Sequence, residues 1–111
     1  SEERMRSELL IDASINDTIV KYAQNTRDAG LDGVVCSPLE AGMVHAACGE
    51  GFLTITPGVR FADGDVADQV RVTTPARARE IGSDFIVVGR PITAAEDPVA
   101  AYRRCVTEFV G

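Results

Sequence analysis

The chain has 111 residues, of which 45% are apolar and 25% charged, and a net charge of −6. This length suits one domain, since domains commonly have about 100–150 residues, and no apolar run approaches the roughly 18 residues of a membrane span. The polar start, Ser1-Glu2-Glu3-Arg4, lacks the apolar core of a secretory signal. The acidic balance, without a cluster of Lys and Arg, argues against a nucleic-acid partner. We therefore expect a cytoplasmic protein that binds neither membrane nor nucleic acid.

Cysteine and histidine usage argues against a metal site and against a disulfide framework. Cys36, Cys48 and Cys105 are widely spaced and form no CxxC pair, so we expect reduced thiols. His45 is the only histidine, which excludes a multi-histidine site within this chain, and we expect it at the surface or in a packing role. No metal and no cofactor is expected.

The first half of the chain predicts a helix, a strand and a second helix. Ser14 precedes apolar residues at helical spacing, and Gly30 follows where a left-handed residue ends a helix of about four turns. Residues 32–36 are short, apolar and β-branched, which favours a buried strand. Residues 37–40 (SPLE) combine an N-cap, a proline at the first helical position and a capping-box glutamate, so a second helix is expected there.

The second half of the chain repeats this alternation of strands and helices. Residues 52–56 and 83–88 are predicted strands, Thr74-Pro75 opens a helix that ends near Gly82, and Asp97-Pro98 starts a last helix. The predicted order is α-β-α-β-α-β-α. The one long connection is residues 57–73, and loops of this length are commonly functional or disordered.

Strands that alternate with helices and are apolar on both faces indicate parallel β-structure joined by right-handed crossovers. The sequence therefore predicts an α/β fold, and two architectures fit it, a doubly wound sheet and a (β/α)₈ barrel. A whole barrel takes about 250 residues. With three predicted strands, the barrel alternative implies that most of the barrel lies outside this sequence.

Ligands of parallel α/β folds gather at the carboxyl ends of the strands. The second strand is followed by residues 57–60 (PGVR), and the third by residues 89–93 (GRPIT). Arg60 and Arg90 can fork onto phosphate oxygens, and Gly89 lets backbone N–H groups approach an anion. In barrels, the loops after the last two strands frequently build a phosphate site.

Each of these residues also has a purely structural explanation. Arg60 could pair with the acidic residues of segment 63–65, and Gly89 could serve a tight turn without a ligand. Residues 68–72 (DQVRV) are either solvated turn groups or ligand contacts. Ser37 is expected to act as an N-cap, and Cys36 to be an inert thiol because burial raises a thiol pKa.

Several segments, in order and spacing, carry a family resemblance: GLDGVVCS (30–37), TPGVR (56–60), DQVR (68–71), TP (74–75), VVGRPIT (87–93) and EDPVAAY (96–102). Together they resemble the orotidine 5'-monophosphate decarboxylase family, bacterial type, over essentially the whole chain. The resemblance implies that residues 1–111 are the C-terminal, phosphate-binding part of a single TIM-barrel domain. The three strands would be the sixth, seventh and eighth of its (β/α)₈ barrel, with the N-terminal strands absent.

The resemblance also implies a binding site and partners. Arg60, Gln69, Gly89 and Arg90 match the family's contacts to the 5'-phosphate of orotidine or uridine monophosphate, and Pro57 lies on the loop that closes over the nucleotide. The family is expected to act as a homodimer without metal or organic cofactor. Its reaction, orotidine monophosphate to uridine monophosphate and CO2, belongs to pyrimidine biosynthesis.

The family's catalytic groups have no counterpart here. Decarboxylation leaves a carbanion at C6 of the pyrimidine, which the family stabilises and protonates with a lysine among aspartates in a D-x-K-x-x-D segment of an earlier strand. The only lysine, Lys21, has no neighbouring aspartate and lies in a predicted helix. No catalytic residue is therefore expected, and the isolated chain should be inactive. Two alternatives stay open: a related phosphate-binding barrel enzyme (a sugar-phosphate epimerase or keto-gulonate-phosphate decarboxylase), and a noncatalytic phosphate-binding or assembly fragment.

Overall fold

A computed structural model of the chain describes residues 1–63 and 72–111. Its centre is a three-stranded parallel sheet in the order β1-β2-β3. The strands are β1 (Gly33–Val35), β2 (Leu53–Thr56) and β3 (Phe85–Ile86). The predicted parallel arrangement is confirmed, with helices in the connections between the strands.

The described residues form six α-helices: α1 (Glu2–Glu8), α2 (Ile15–Asp28), α3 (Ala41–Cys48), α4 (Pro75–Glu80), α5 (Arg90–Thr93) and α6 (Pro98–Phe109). A short 3-10 helix, Pro38–Glu40, precedes α3. In the described part of the chain, no helix combines the length and the apolar character needed to cross a membrane.

The predicted helix starts are confirmed by their caps. Ser14, Thr74 and Asp97 each accept a hydrogen bond from a backbone N–H three residues further on. Ser37 and Glu40 form the predicted capping box, although the first turn there is 3-10 rather than α. These side chains satisfy N–H groups that a helix cannot satisfy internally.

Two helices and the length of one strand were not predicted correctly. Helix α1 buries no residue, so it has no apolar periodicity to reveal it, and α5 is a single turn after β3. The predicted strand 83–88 is regular only at Phe85–Ile86, and the side chains of Ser83 and Asp84 hydrogen-bond to threonines of β2. The observed order therefore includes α1 at the start and α5 between β3 and α6.

Helices cover one face of the sheet. Ala23 of α2, Val44 of α3 and Phe52 are buried together, and Val34 of β1 packs against them. Helix α2 contacts α3 and β1, while α6 contacts α4 and α5. This apolar cluster is the part of the core that holds β1 and the first half of the chain together.

The opposite face of the sheet is exposed. The register aligns Val35, Ile55 and Phe85 in one row across the three strands, and their exposed fractions are 69%, 37% and 53%. The alternate positions of β2, Thr54 and Thr56, are fully buried beneath the helices. The prediction that each strand is apolar on both faces is therefore wrong for β2. Threonines occupy its covered face, and its exposed face is aliphatic.

A polar network ties helix α3 to β2 and β3 at their amino ends. Asp84 Oδ2 lies 2.7 Å from His45 Nε2 and accepts hydrogen bonds from the backbone N–H of Thr54 at 2.9 Å and from its hydroxyl at 3.2 Å. Burial raises the pKa of Asp84, but the hydrogen bonds from Thr54 and His45 outweigh it and hold that pKa below its ordinary value. His45 is buried, so of the two predicted roles the structure shows the packing one.

Replacing Asp84 with Ala is expected to lower the free energy of unfolding by about 1–3 kcal/mol, because His45 and the Thr54 N–H lose their acceptor. Since the folded-state pKa of Asp84 is depressed, its contribution is complete above the unfolded pKa of about 3.9 and is lost as pH falls through the folded pKa. Urea unfolding near neutral pH and in acid would measure both effects.

Asp12→Ala is the matched control, because Asp12 is 87% exposed and, among residues 1–63 and 72–111, pairs only with Arg6. It should change the free energy of unfolding by no more than about 0.5 kcal/mol. Equal effects of the two substitutions would contradict the role assigned to the Asp84 network.

Candidate functional site

A cavity of about 630 Å³ opens at the carboxyl ends of β2 and β3. The segment after β2 contributes Gly58, Val59 and Arg60, and the segment after β3 contributes Gly89, Arg90 and Pro91. Adjacent parallel strands end at the same edge of the sheet, which is why two segments about 30 residues apart meet there.

The segment after β2 is fixed through its backbone. Val59 is buried and forms an isolated parallel bridge with Thr73, and the Arg60 N–H donates to the Thr73 carbonyl oxygen at 3.1 Å. Gly58 has a φ of +76°, a conformation that glycine adopts without steric cost. The backbone of Arg60 is therefore held in place while its side chain faces solvent.

The segment after β3 presents backbone N–H groups. The Val87 N–H continues the ladder by donating to the Thr56 carbonyl at 3.0 Å, and Gly89 then caps α5 by accepting from Ile92 and Thr93. Among the described residues, the N–H groups of Gly89 and Arg90 have no acceptor. A Cβ on Gly89 would meet nothing within 4 Å, so the space beside its Cα is open.

The electrostatics of the cavity favour an anion. Within the described part of the chain, no carboxylate forms an ion pair with Arg60 or Arg90. Asp63, one of the alternative partners considered for Arg60, pairs with Arg104 instead at 3.0 Å. Two guanidinium groups and free N–H donors around one cavity are the groups that bind phosphate oxygens.

The predicted site residues have different outcomes in the structure. Arg60, Gly89 and Arg90 line the same cavity, whereas Pro57 is exposed just before it and is not among its lining residues. Gln69 lies outside the described residues. Their ligand contacts remain predictions.

Four lining residues were not predicted as site residues, namely Gly58, Val59, Val87 and Pro91. Each lies in the TPGVR or the VVGRPIT segment, one or two residues from a predicted site residue. Their membership of the site depends on how the backbone turns at each strand end, which a linear motif does not specify.

Other potentially reactive residues take no part in this cavity. Lys21 lies in the middle of α2, as predicted, and is exposed. All three cysteines are free, and no three His, Cys, Asp or Glu side chains of the described residues are grouped as metal ligands. Burial, together with the nearby charges of Glu40 and Asp84, raises the pKa of the Cys36 thiol to about 11, in agreement with the predicted inert thiol.

Comparison with known sequences identifies relatives of this chain. Residues 1–105 match the family described as "Orotidine 5'-phosphate decarboxylase / HUMPS family". The chain is 50% identical over its whole length to an orotidine 5'-phosphate decarboxylase of Bacillus cereus (strain Q1), of which it covers 47%. It is equally similar to that of Geobacillus sp. (strain WCH70), of which it covers 46%. The chain thus spans about half the length of the curated relatives it matches.

A solved structure agrees with this assignment. The crystal structure of orotidine 5'-phosphate decarboxylase from Lactobacillus acidophilus superposes with a TM-score of 0.84 at 40% identity, over 100% of this chain and 45% of that one. The predicted fold, the last strands of a (β/α)₈ barrel with their helices, is confirmed by this match. The doubly wound alternative is excluded.

Cys36 is expected to resist alkylation. With a pKa of about 11, only about one thiol in a thousand is ionised at pH 8, and the thiolate is the nucleophile. Iodoacetamide labelling followed by peptide mass spectrometry would measure the rate at Cys36 in the folded and the urea-unfolded chain. A folded-state rate equal to the unfolded one would contradict the raised pKa.

Proposed function

Because this chain belongs to the orotidine 5'-phosphate decarboxylase / HUMPS family, we propose that it forms the phosphate-binding, C-terminal part of an orotidine 5'-monophosphate decarboxylase. The observation that carries this proposal is the cavity that places Arg60 and Arg90 at two adjacent strand ends. The names of the relatives favour this reaction over that of another phosphate-binding barrel.

In this proposal the chain binds the 5'-phosphate, and residues outside this sequence carry out the decarboxylation. Arg60, Arg90 and the free N–H groups of segment 89–90 would bind the phosphate oxygens, with Gln69 and Pro57 completing the site. Contacts this far from the reacting carbon can stabilise the transition state as well as the bound substrate, because their binding energy can be used to orient the reacting group. The contacts to the phosphate would therefore increase the reaction rate as well as the affinity for the substrate.

Proton delivery to C6 is assigned to residues outside this sequence. The overall reaction consumes one proton and releases CO2, so an acid must stand beside the pyrimidine. Lys21, the only lysine, projects from the middle of α2 and does not line the cavity. We therefore expect the isolated chain to bind the nucleotide weakly and not to decarboxylate it.

The N-terminal part of the barrel is the proposed partner of the exposed sheet face. The row formed by Val35, Ile55 and Phe85 exposes three large apolar side chains side by side, and contiguous exposed apolar patches mark interaction surfaces. A second apolar groove of about 360 Å³ lies between β3 and α6. Residues that complete the barrel would cover both surfaces, and the completed barrel is proposed to form a homodimer.

The functional test is a chimera in which residues 1–111 follow the N-terminal part of the Bacillus cereus relative. The chimera should convert orotidine monophosphate to uridine monophosphate, measured by the change in pyrimidine absorbance, whereas the isolated chain should not. Arg90→Gln and Arg60→Gln should each reduce kcat/KM roughly 10–100-fold, since each removes hydrogen bonds to a charged group.

Arg103→Gln is the matched control, because Arg103 is an exposed arginine of α6 that does not line the cavity. It removes the same charge and should retain the activity of the unsubstituted chimera. If a folded chimera shows no turnover, the proposed reaction is wrong. If Arg90→Gln retains full efficiency, Arg90 does not belong to the site.

A second test addresses the partner surface. Ile55→Lys should weaken association of the chain with a separately produced N-terminal part by roughly 100-fold or more, because burying an unpaired ammonium costs several kcal/mol. Light scattering of the mixed polypeptides would measure the association. Val99→Lys is the control, since Val99 is 58% exposed on α6 and outside the row. Equal association of both variants would contradict the proposed partner surface.

A further inference from the structure

Arg104 of α6 makes three contacts with described residues at the edge of the candidate site. Its Nη1 lies 3.0 and 3.3 Å from the two carboxylate oxygens of Asp63, and its Nε lies 2.9 Å from Glu108 Oε2. The guanidinium carbon lies 4.0 Å from the centroid of the Phe61 ring. One side chain thus holds two residues of the segment that follows Arg60.

These contacts hold the backbone on the C-terminal side of Arg60. On the N-terminal side, Val59 forms a β-bridge with Thr73, and the Arg60 N–H donates to the Thr73 carbonyl. Phe61 and Asp63, one and three residues later, are held by Arg104. The backbone of Arg60 therefore lies between two attachment points, the second of which is a side chain of α6.

Helix α6 also supports the other half of the cavity. It packs against α5, whose first residue is Arg90. Pro91 lines both the large cavity and a smaller one of about 260 Å³ that also includes Phe61, Asp63 and Arg104. The Arg104 contacts therefore connect the segment that carries Arg60 to the helix pair that carries Arg90.

We propose that Arg104 is a positioning residue that fixes Arg60 relative to Arg90 by holding Phe61 and Asp63 against α6. This inference rests on the proposed phosphate-binding function and assigns to that site a residue that does not line its cavity. Arg104 and Asp63 are 45% and 69% exposed, and exposed ion pairs contribute little to stability. The role of these contacts is therefore to position Arg60, which is a proposed ligand-binding group.

The geometry requires arginine rather than lysine. A planar guanidinium reaches two carboxylates through different nitrogens while it stacks on an aromatic ring. An ammonium would retain one charge interaction with Asp63 and lose the second and the stacking. Arg104→Lys should therefore fall between the unsubstituted protein and Arg104→Gln.

The experiment compares binding of uridine monophosphate and of uridine, which lacks the phosphate, to the chimera by calorimetry. Arg104→Gln should reduce the preference for the monophosphate roughly tenfold, because small misplacements of a binding group have effects of this size or larger. Affinity for uridine and the thermal unfolding midpoint should stay unchanged. Arg103→Gln, one residue away on α6, should leave all three quantities unchanged, and Asp63→Asn should resemble Arg104→Gln.

A double-mutant cycle tests whether Arg104 acts through Arg60. In the Arg60→Gln background, Arg104→Gln should have little further effect, since no guanidinium remains to be positioned. Additive losses, an equal loss for uridine, or an unchanged preference for the monophosphate would overturn the inference. Asp63→Asn tests it again if Arg104→Gln lowers the unfolding midpoint.

The inference and the proposed function fail in different ways. A chimera that prefers the monophosphate but releases no CO2 from orotidine monophosphate contradicts the reaction, and Arg104 is still judged by the preference ratio. A chimera that binds uridine monophosphate no better than uridine overturns both the phosphate site and the role of Arg104.

Discussion

The parallel pairing of β2 with β3 is the constraint on which the rest of the structure depends. The register pairs Ile55 with Phe85 and Thr56 with Ile86, and the Val87 N–H extends the ladder to the Thr56 carbonyl. Both strands therefore end together, and the segments that follow them open onto one cavity. A shift by one residue would turn alternate side chains to the other face of the sheet and would separate the two arginines.

The two faces of this sheet carry different kinds of residue. The helix-covered face of β2 carries two threonines whose hydroxyls bond to Asp84, Ser83 and the Phe85 carbonyl. The uncovered face carries valine, isoleucine and phenylalanine. This distribution is the reason for proposing a partner on the uncovered face, because transfer of apolar surface from water is the main favourable contribution to folding.

Sequence reasoning was most accurate where a single side chain determines local structure. The caps at Ser14, Ser37, Thr74 and Asp97 marked the starts of helical segments, because each supplies a specific acceptor for orphan N–H groups. Helix α1 escaped prediction because it buries no residue and is held by local pairs such as Arg4 with Glu8. The hydrogen bonds of Ser83 and Asp84 beside β3 could not be foreseen, since their partners lie 27 and 30 residues away in the sequence.

The candidate site was predictable to the extent that it follows from strand ends. Arg60, Gly89 and Arg90 were predicted from their positions just after apolar runs, and the structure brings them to one cavity. The contribution of α6 was not visible in the sequence. Arg104 stands 41 residues from Asp63, and no linear spacing relates them. Contacts of this kind depend on the crossover geometry and become apparent only in the folded chain.

The polar network of Asp84, His45 and Thr54 lies at the amino ends of the strands, and the arginines lie at the carboxyl ends. The sheet thus separates the groups that secure its register from the groups proposed to meet the ligand. Substitutions at distant, independent sites have nearly additive effects on stability. A substitution at the ligand end is therefore expected to alter the proposed site while the stability that the Asp84 network contributes stays unchanged.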